Sequence, residues 1–457
     1  MFIFKVLKEK INIKNITFQM KDTAKKLNSK IKIIKRSFSA GKITQYSGLV
    51  WVGDFIKKHN LEKQFDKMFP TRLYNATKFS DTQVLLAFIF GFFSGINRIS
   101  RISNFTQDEL VKSLLNLSTR INKDALSKRL KKLGEAGAKK FRDFQLQFNA
   151  KFLEKSKLEH ITLDADSTVM LSYGNQQGAE KGYNPQKPGA KSYHPLLVFV
   201  SELKLLYHSI FRKGSVYTST GIVDLLAEIK ESLPSNITKV FFRADSGFYS
   251  EALMSYIESI EAWDYLIKIK FRGLKTLLEA QQWEKVQGAK GVEMCEFKHI
   301  SGKGKERTIK AVRTIKEVVE QNFFGSIQQI KVYQYAAYAS NLDLDAYQLH
   351  NKYKERATSE TWIEQVKSQL MAGKTYTQDF AANDLLWQLS VWAYNISVML
   401  RSVSRKFLSM EHASFRDLFI LIAGKIVKSS RRWHIKMYKH YFYKGNWLEL
   451  ERLLQSA

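Results

Sequence analysis

The hydrophobic and polar positions of the chain follow a helical period over its first third. The period is clear from about residue 43, and the apolar run VLLAFIFGFF at 84–93 follows Ser80, a residue type that favours helix N-termini. Residues 1–42 are Lys-rich and show no clear period. We therefore predict a helical domain over 43–150 that is preceded by a basic arm.

From residue 159 the pattern changes to short runs rich in β-branched residues, which are typical of strands. Three such runs are followed by a helical stretch, a fourth run ending near Asp245, a second helical stretch and a fifth run. This order predicts a mixed α/β sheet in which a right-handed parallel crossover returns the fourth strand beside the first. The regions we predict are the first part of the α/β core at 151–272, a β-rich insertion at 273–332, the second part of the core at 333–400 and a basic helical C-terminal region at 401–457.

The charge of the chain indicates the class of partner that the protein binds. The 457 residues include 73 Lys and Arg but only 43 Asp and Glu, which gives a formal net charge of +30. An excess of this size indicates an extended polyanionic partner, with nucleic acid as the leading candidate. Membrane lipid is the competing polyanion, but the longest apolar run, 84–93, is too short to span a bilayer. The single cysteine, Cys295, excludes an internal disulfide and is consistent with the reducing cytoplasm.

A basic helix within 43–150 is a candidate for DNA contact. A helical stretch at 106–117 is joined by a short polar connection to a second one at 125–152. The second stretch carries closely spaced cations, among them Lys128, Arg129 and Lys132. This arrangement is compatible with a helix-turn-helix-like DNA reader, and equally with a helical bundle that has a solvated basic face.

Two aspartates occur where predicted strands end, at Asp166 and Asp245. If the first and fourth strands are parallel neighbours, both carboxylates emerge at the same edge of the sheet. Asp164 lies two residues earlier on the same strand face and is the alternative at the first position. Glu360 supplies a third carboxylate, and three together repel unless cations neutralise them. Oxygen ligands favour hard Mg²⁺ or Mn²⁺, and two such ions roughly 3.5–4 Å apart support phosphodiester chemistry.

The segment YKERATSETWIEQVKSQL at 353–370 places four polar side chains on one side of a predicted helix. At 100° per residue they fall within one stripe roughly 60° wide. The four residues are Tyr353, Arg356, Glu360 and Lys367. We interpret Glu360 as a metal ligand and the other three as contacts to DNA phosphates. The alternative is a solvated charged face with an Arg/Glu pair at spacing i, i+4.

Taken together, these motifs resemble those of insertion-sequence transposases of the DDE type, in the branch with a Tyr-x2-Arg-x3-Glu-x6-Lys signature. Residues 353–367 match that signature at every spacing, DST at 166–168 resembles the first-aspartate motif, and ADSGFYS resembles the second. The resemblance runs from about residue 43 to the C-terminal helices. It implies an RNase H-like mixed sheet flanked by helices, with a β-rich insertion and helical N- and C-terminal regions.

The same resemblance implies roles for individual residues. The ligands of two Mg²⁺ or Mn²⁺ ions would be Asp166, Asp245 and Glu360. Asp166 is preferred to Asp164 because the aspartate of the family precedes a small residue and Thr. Accessory DNA contacts would come from Tyr353, Arg356 and Lys367.

The function that these observations predict is DNA transposition. The protein is expected to bind the terminal inverted repeats of its element as a homodimer, cleave phosphodiesters there, and join the ends to target DNA. Its expected location is the cytoplasm, associated with the nucleoid and not with a membrane. The alternatives are a transposase-derived DNA-binding protein without activity and an RNase H-like nuclease without strand transfer.

Overall fold

A computed structural model describes residues 37–71, 78–184, 187–300, 304–323, 326–429 and 432–456. Residues 44–457 form one compact unit. The predicted basic arm falls almost entirely outside the described residues, and the predicted domain boundaries stay predictions. No helix within the described ranges is long and apolar enough to cross a membrane.

The N-terminal part of this unit is helical, as its period predicts. After a two-residue strand, β1 (Ile43–Thr44), come α1 (Leu49–Lys58), α2 (Leu61–Met68), α3 (Asp81–Phe93), α4 (Ile99–Phe105), α5 (Glu109–Leu114) and α6 (Lys123–Lys155). Ser80 caps α3 in a capping box with Gln83, which confirms the predicted helix start. The apolar run of α3 is buried almost throughout. The 33-residue α6 is kinked at Gly134, whose φ of 50° is accessible to glycine without steric cost.

The central sheet places its fourth core strand parallel to and beside the first, as predicted. Its first five core strands are β2 (His160–Ser167), β6 (Leu196–Val200), β7 (Leu205–Ile210), β8 (Lys239–Ala244) and β9 (Trp263–Lys268). They lie side by side in the order β9-β8-β2-β6-β7. β2 pairs antiparallel with β6 but parallel with β8, and β8 is parallel to β9. Three antiparallel strands followed by a parallel crossover form the mixed sheet of an RNase H-like core.

Short elements connect these strands. A small separate sheet between β2 and β6 contains β3 (Met170–Leu171), β4 (Glu180–Lys181) and β5 (Lys191–Tyr193). The crossovers are α7 (Ile222–Ser232), between β7 and β8, and α8 (Glu251–Glu258), between β8 and β9.

The predicted β-rich insertion extends the central sheet instead of forming a separate one. It contains α9 (Leu274–Glu279), β10 (Glu284–Lys285), β11 (Val292–Ile300) and β12 (Glu306–Phe323), and continues into β13 (Ser326–Ser340). β13 pairs antiparallel with β9, so the complete sheet has nine strands in the order β10-β11-β12-β13-β9-β8-β2-β6-β7. The insertion is therefore joined to the core through backbone hydrogen bonds.

Helices after the insertion cover the core sheet. They are α10 (Ala346–Lys354), α11 (Ala357–Glu364), which continues as a π-helical turn (Gln365–Gln369), and α12 (Phe380–Arg401). Nearly every residue of α12 is buried, and one continuous hydrophobic core includes side chains from α1 to the C-terminal helix.

The C-terminal region contains helices together with a hairpin that the sequence pattern did not reveal. Its elements are α13 (Arg405–Leu408), α14 (His412–Phe415), a second π-helical turn (Arg416–Ile420), β14 (Gly424–Ser429), β15 (Arg432–Met437) and α15 (Lys444–Ser456). The strands β14 and β15 pair antiparallel over six residues each. No Gly or Pro separates the two strands, so no turn signal marked the hairpin, although Arg432–Met437 alternates polar and apolar residues as a strand does.

Candidate metal and DNA site

The register of the central sheet brings Asp166 and Asp245 to adjacent positions. Ala165 of β2 is paired with Ala244 of β8 in parallel register, and each aspartate is the next residue along its strand. Paired strands lie about 4.8 Å apart, and paired residues point to the same face. The predicted meeting of the two strand ends is thereby confirmed.

Asp245 is fixed by a turn at the end of β8. Its carboxylate Oδ1 accepts a hydrogen bond of 2.9 Å from the Gly247 N–H and caps the short 3₁₀ turn Ser246–Phe248. A Cβ at Gly247 would approach Thr218 Cγ2 to 2.8 Å, so glycine permits the close packing of this turn. The second carboxylate oxygen of Asp245 has no hydrogen-bond donor among the described side chains and backbone groups.

Asp166 is held between a backbone donor and a guanidinium. Its Oδ1 accepts from the Ser167 N–H at 2.7 Å, and its Oδ2 accepts from Arg356 Nη2 at 2.8 Å. Burial raises the pKa of Asp166 to about 6; the Arg356 charge lowers this pKa, and the Asp245 charge raises it. A cation bound nearby would therefore stabilise the ionised form of Asp166.

Arg356 is buried, in contrast to the exposed stripe that regular helical spacing suggests. Only 6% of the residue is exposed, and Nη2 also donates to the Ala165 carbonyl at 3.1 Å. Burial lowers the pKa of Arg356, but the neighbouring carboxylates outweigh that effect and hold it above its ordinary value. Its Nε–H is buried without an acceptor among the described residues. One donor of the Arg356 guanidinium is thus unpaired within the described structure.

The carboxylate oxygens of Asp164, the alternative first ligand, already accept hydrogen bonds within the protein. Arg243 Nε and Nη2 donate to its two carboxylate oxygens at 2.8 and 2.9 Å, and the Ser201 hydroxyl donates to Oδ2. Both side chains of the pair are buried. Asp164 and Arg243 are directly opposite in the β2–β8 register, one step below Asp166 and Asp245 on the same face. The structure gives Asp164 the role of a buried ion-pair partner.

Arg243 also reaches the segment that carries Arg356, a function that the sequence analysis missed. Its Nη1 donates to the Lys352 carbonyl at 3.0 Å and to Glu355 Oε2 at 3.1 Å. The Asp164–Arg243 pair thereby ties the end of α10 to the sheet, next to Arg356. The available signal was Arg243 two residues before Asp245, a spacing that puts both on one strand face.

The segment 353–370 is helical but irregular. Between α10 and α11, the Arg356 N–H donates to the Tyr353 carbonyl at 3.0 Å and the Ser359 N–H to the Arg356 carbonyl at 2.9 Å, both with the tighter i, i+3 spacing. The wider π-helical turn follows at Gln365–Gln369. The side chains of Gln365 and Gln369 accept from the His412 and Ala413 N–H groups at the start of α14, which stabilises that turn. A constant 100° per residue therefore does not hold along the predicted stripe.

The other residues of the stripe are distributed around Arg356. Tyr353 is partly buried, and burial raises its pKa; the Arg356 charge lowers this pKa, whereas the charges of Asp245 and Asp166 raise it. Glu360 is exposed in the first turn of α11, and Lys367 is partly exposed in the π-helical turn. Within the described part of the chain, no three His, Cys, Asp or Glu side chains lie close enough to hold a metal ion. The structure thus brings together Asp166, Asp245 and Arg356, with Tyr353 in the turn that precedes Arg356, but does not bring Glu360 to them.

The predicted DNA contacts on α6 divide into two kinds. Lys128 and Lys132 are exposed. Arg129 instead donates to Asp81 Oδ1 at 2.6 Å and to the Phe79 carbonyl at 3.2 Å, so its guanidinium joins α6 to the start of α3. Contact with DNA stays a prediction for Lys128, Arg129 and Lys132. Arg129 also has a structural role, since it pairs with Asp81.

The two aspartates suit a hard divalent cation. All their donor atoms are carboxylate oxygens, and one oxygen of Asp245 lacks a donor in the described structure. Mg²⁺ is commonly held by one or two protein carboxylates, with waters and substrate phosphates as the remaining ligands. Asp166 and Asp245 therefore fit such an ion as a pair, and Glu360 is the candidate for an added ligand.

Comparison with known proteins gives the family. Residues 26–457 match the family described as transposase DDE domain group 1. Among solved structures, a synaptic complex of piggyBac transposase with hairpin DNA is 13% identical, covers 81% of this chain and 78% of its own, and has a TM-score of 0.43. The paired-end complex of Mos1 mariner with Mn is 12% identical, covers 55% of this chain and 74% of its own, and has a TM-score of 0.17. No curated protein sequence matches the chain. Because the family match spans nearly the whole sequence, the chain belongs to the DDE transposase family.

Proposed function

We propose that the protein is an active DNA transposase that binds the terminal inverted repeats of its own element, cleaves phosphodiesters at the ends and transfers the strands to target DNA. The observation that carries this proposal is the pair of carboxylates, Asp166 and Asp245, at adjacent strand ends beneath the Arg356 guanidinium. A lapsed, purely DNA-binding derivative would have no need for two ionisable carboxylates side by side at partly buried positions.

The carboxylates are proposed as metal ligands and the cations as phosphate contacts. Two bound Mg²⁺ or Mn²⁺ ions would activate the attacking oxygen and stabilise the leaving one. Asp166 and Asp245 bind from the sheet. Glu360, which has no ion pair among the described residues, joins them from the first turn of α11. Arg356 is proposed to contact a phosphate oxygen, and Tyr353 and Lys367 to orient the DNA beside it.

The proposed partners are duplex DNA at the two element ends, target DNA, and a second copy of the chain. Holding two ends together for joining requires two active sites, so we propose a homodimer in the synaptic complex. Lys128 and Lys132 are proposed to contact end DNA from the exposed side of α6. Action in the cytoplasm, at the nucleoid, follows from a DNA substrate and stays a prediction.

A strand-transfer assay tests this proposal. The full chain is incubated with Mg²⁺, a labelled duplex containing one element end taken from the DNA that flanks the gene, and a supercoiled target plasmid. We expect cleavage at the end and a labelled product joined to the plasmid. Cleaved DNA without joined product would support the nuclease alternative. Specific binding without cleavage, in either Mg²⁺ or Mn²⁺, would support the inactive DNA-binding protein.

A further inference from the structure

The hairpin β14–β15 has two chemically different faces. Paired residues share a face, so Lys425 and Lys436 lie together on one of them, followed by His434 and then Arg432 towards the tip. All four are exposed. On the other face, Ile426 and Ile435 are paired and partly buried. We call the first of these surfaces the basic face of the ribbon.

Charge on the basic face is uncompensated by the protein itself. Residues 418–448 contain seven Lys and Arg but no Asp or Glu. Lys425 is directly opposite Lys436, and like charges at directly opposed positions destabilise a strand pair. Among the described residues, none of Lys425, Lys436 and Arg432 forms an ion pair. An external anion that lies between the two lysines would remove this repulsion.

The base of the ribbon is anchored while its basic face is open. Gly424 is buried, and a Cβ there would clash with the Ser47 hydroxyl, so this end of β14 packs tightly against the helical region. Met437, the partner of Gly424, packs against the main hydrophobic core. The basic face is thus presented by a fixed support, which lowers the entropic cost of binding.

The distribution of aromatic side chains favours a double-stranded partner. Proteins that bind single strands stack bases on aromatic rings. The exposed ring on the ribbon, Trp433, lies on the face opposite the basic one, where Lys428 Nζ is 5.6 Å from its centroid. Apart from the His434 imidazole, the side chains with rings are absent from the basic face, and its cations suit contact with phosphates.

We propose that the basic face of the β14–β15 ribbon binds the phosphate backbone of duplex DNA, as a contact surface separate from the carboxylate site and from α6. The inference rests on the proposed function, since the DNA concerned is that of the element end or the target. Lys425, Lys436 and Arg432 contact phosphates, and the DNA supplies the countercharge that the opposed lysines lack.

The test compares two triple variants of the full chain with equal loss of charge. The first is Lys425→Gln/Lys436→Gln/Arg432→Gln. The control, Lys63→Gln/Lys67→Gln/Lys230→Gln, removes three exposed lysines that have acidic neighbours in the sequence. Binding to a duplex with an element end, to a random duplex and to a single strand is measured from 50 to 300 mM NaCl.

We expect the ribbon variant to bind both duplexes at least tenfold more weakly at 150 mM salt. The slope of log K against log salt should be less steep by about 2–3, or roughly 0.9 for each lost phosphate contact. Cleavage at saturating end DNA should stay within a few-fold of the wild type. The melting temperature should be unchanged or slightly raised, because the Lys425–Lys436 repulsion is removed.

Two results would overturn the inference. One is an unchanged salt slope and duplex affinity in the ribbon variant, or a change no larger than that of the control. The other is a loss of affinity confined to the single strand. A failure of the proposed function looks different, since the wild type itself would then neither prefer end DNA nor cleave it in Mg²⁺.

Discussion

At the scale of single residues, Asp164 and Asp166 show how two carboxylates on one strand face acquire different roles. Asp164 has a bidentate guanidinium partner and is fully enclosed, whereas Asp166 meets a guanidinium at one oxygen and a second carboxylate beside it. The sequence contains both aspartates but does not specify the arginine that pairs with each. Those partners come from β8 and from the segment between α10 and α11, and long-range contacts of this kind are set by the tertiary fold.

Asp164→Asn is expected to be mainly a stability variant. Because the side chains of Asp164 and Arg243 are 0% and 4% exposed, breaking the pair leaves a buried guanidinium whose remaining carboxylate partner is the exposed Glu355. Loss of one partner from such a pair costs about 3–5 kcal/mol. Urea unfolding should show this loss, and Asp164→Asn/Arg243→Gln should lose less than the sum of the single variants. Unchanged stability of Asp164→Asn with abolished cleavage would instead make Asp164 a metal ligand.

Arg356→Ala is expected to affect both activity and stability. On an exposed stripe the substitution would leave stability unchanged, but Arg356 is buried against Asp166 and its loss leaves that carboxylate without its partner. At pH 8 we expect stability to fall by a few kcal/mol. Single-turnover cleavage should fall about a hundredfold, since the DNA is then misplaced. Both are measured on one preparation, by urea unfolding and by cleavage with saturating end DNA.

Glu364→Ala is the matched control for Arg356→Ala. Glu364 is an exposed residue of α11 and lies beyond the Arg356 contacts. It should retain normal cleavage and normal stability. Normal cleavage by Arg356→Ala would remove Arg356 from the site and return it to the role of a packing residue.

At the scale of elements, the sequence predicts the five core strands, their crossover and the capped helix α3. Those predictions rest on local periodicity and on the handedness of crossovers, both of which follow from backbone geometry. The irregular geometry of the 353–370 helix was not predictable in the same way. Its tight turn at Arg356 and its π-helical turn at Gln365–Gln369 depend on contacts with Asp166 and with the start of α14.

The buried helix α12 gives a pH-dependent prediction. Burial raises the pKa of Asp384 to about 6; a hydrogen bond from Gln388 lowers it, though by less. The folded pKa lies above the unfolded value, so the protonated carboxyl stabilises the fold at low pH and this contribution is lost as the pH rises from about 4 to 6. Asp384→Asn removes the loss. The free energy of unfolding of this variant should exceed that of the wild type by roughly 2–3 kcal/mol at pH 7.5 and match it near pH 4.

Urea unfolding of Asp384→Asn and wild type across pH 4–8 checks this prediction. Asn retains the oxygen that accepts from Gln388 Nε2, so the hydrogen bond of 3.2 Å is expected to persist. A stability difference that does not change with pH would show that Asp384 is ionised in the folded protein throughout this range.

At the scale of the whole molecule, the net charge of +30 predicts a polyanion, but not where it binds. The structure distinguishes cations that form ion pairs within the protein, such as Arg129, Arg243 and Arg356, from exposed ones such as Lys128 and Lys132. The joining of the insertion to β9 through β13 was equally beyond sequence reasoning, because pairing between distant strands leaves no mark on local periodicity.

The two kinds of cation on α6 are expected to respond differently to substitution. Lys128→Gln/Lys132→Gln should make the salt slope of end binding less steep by roughly 1.8, with two contacts at about 0.9 each, and leave stability unchanged. Arg129→Gln should lower stability, because it breaks the pair with the buried Asp81. Fluorescence anisotropy titrations at several salt concentrations, with thermal unfolding alongside, distinguish them. An unchanged salt slope in the lysine variant would indicate that Lys128 and Lys132 lie on a solvated face of α6 and do not contact DNA.

Metal-dependent cleavage by a matched set of carboxylate variants tests whether Asp166, Asp245 and Glu360 hold the metal ions that cleavage requires. The set is Asp166→Asn, Asp245→Asn, Glu360→Gln and the control Glu364→Gln, each assayed in single turnover with saturating end DNA and increasing Mg²⁺. We predict that the first three bind end DNA with near wild-type affinity yet do not cleave it at any Mg²⁺ concentration, while Glu364→Gln cleaves normally. Normal cleavage by Asp166→Asn or Asp245→Asn would show that the aspartate pair does not hold a metal ion needed for cleavage, and normal cleavage by Glu360→Gln would remove Glu360 from the site.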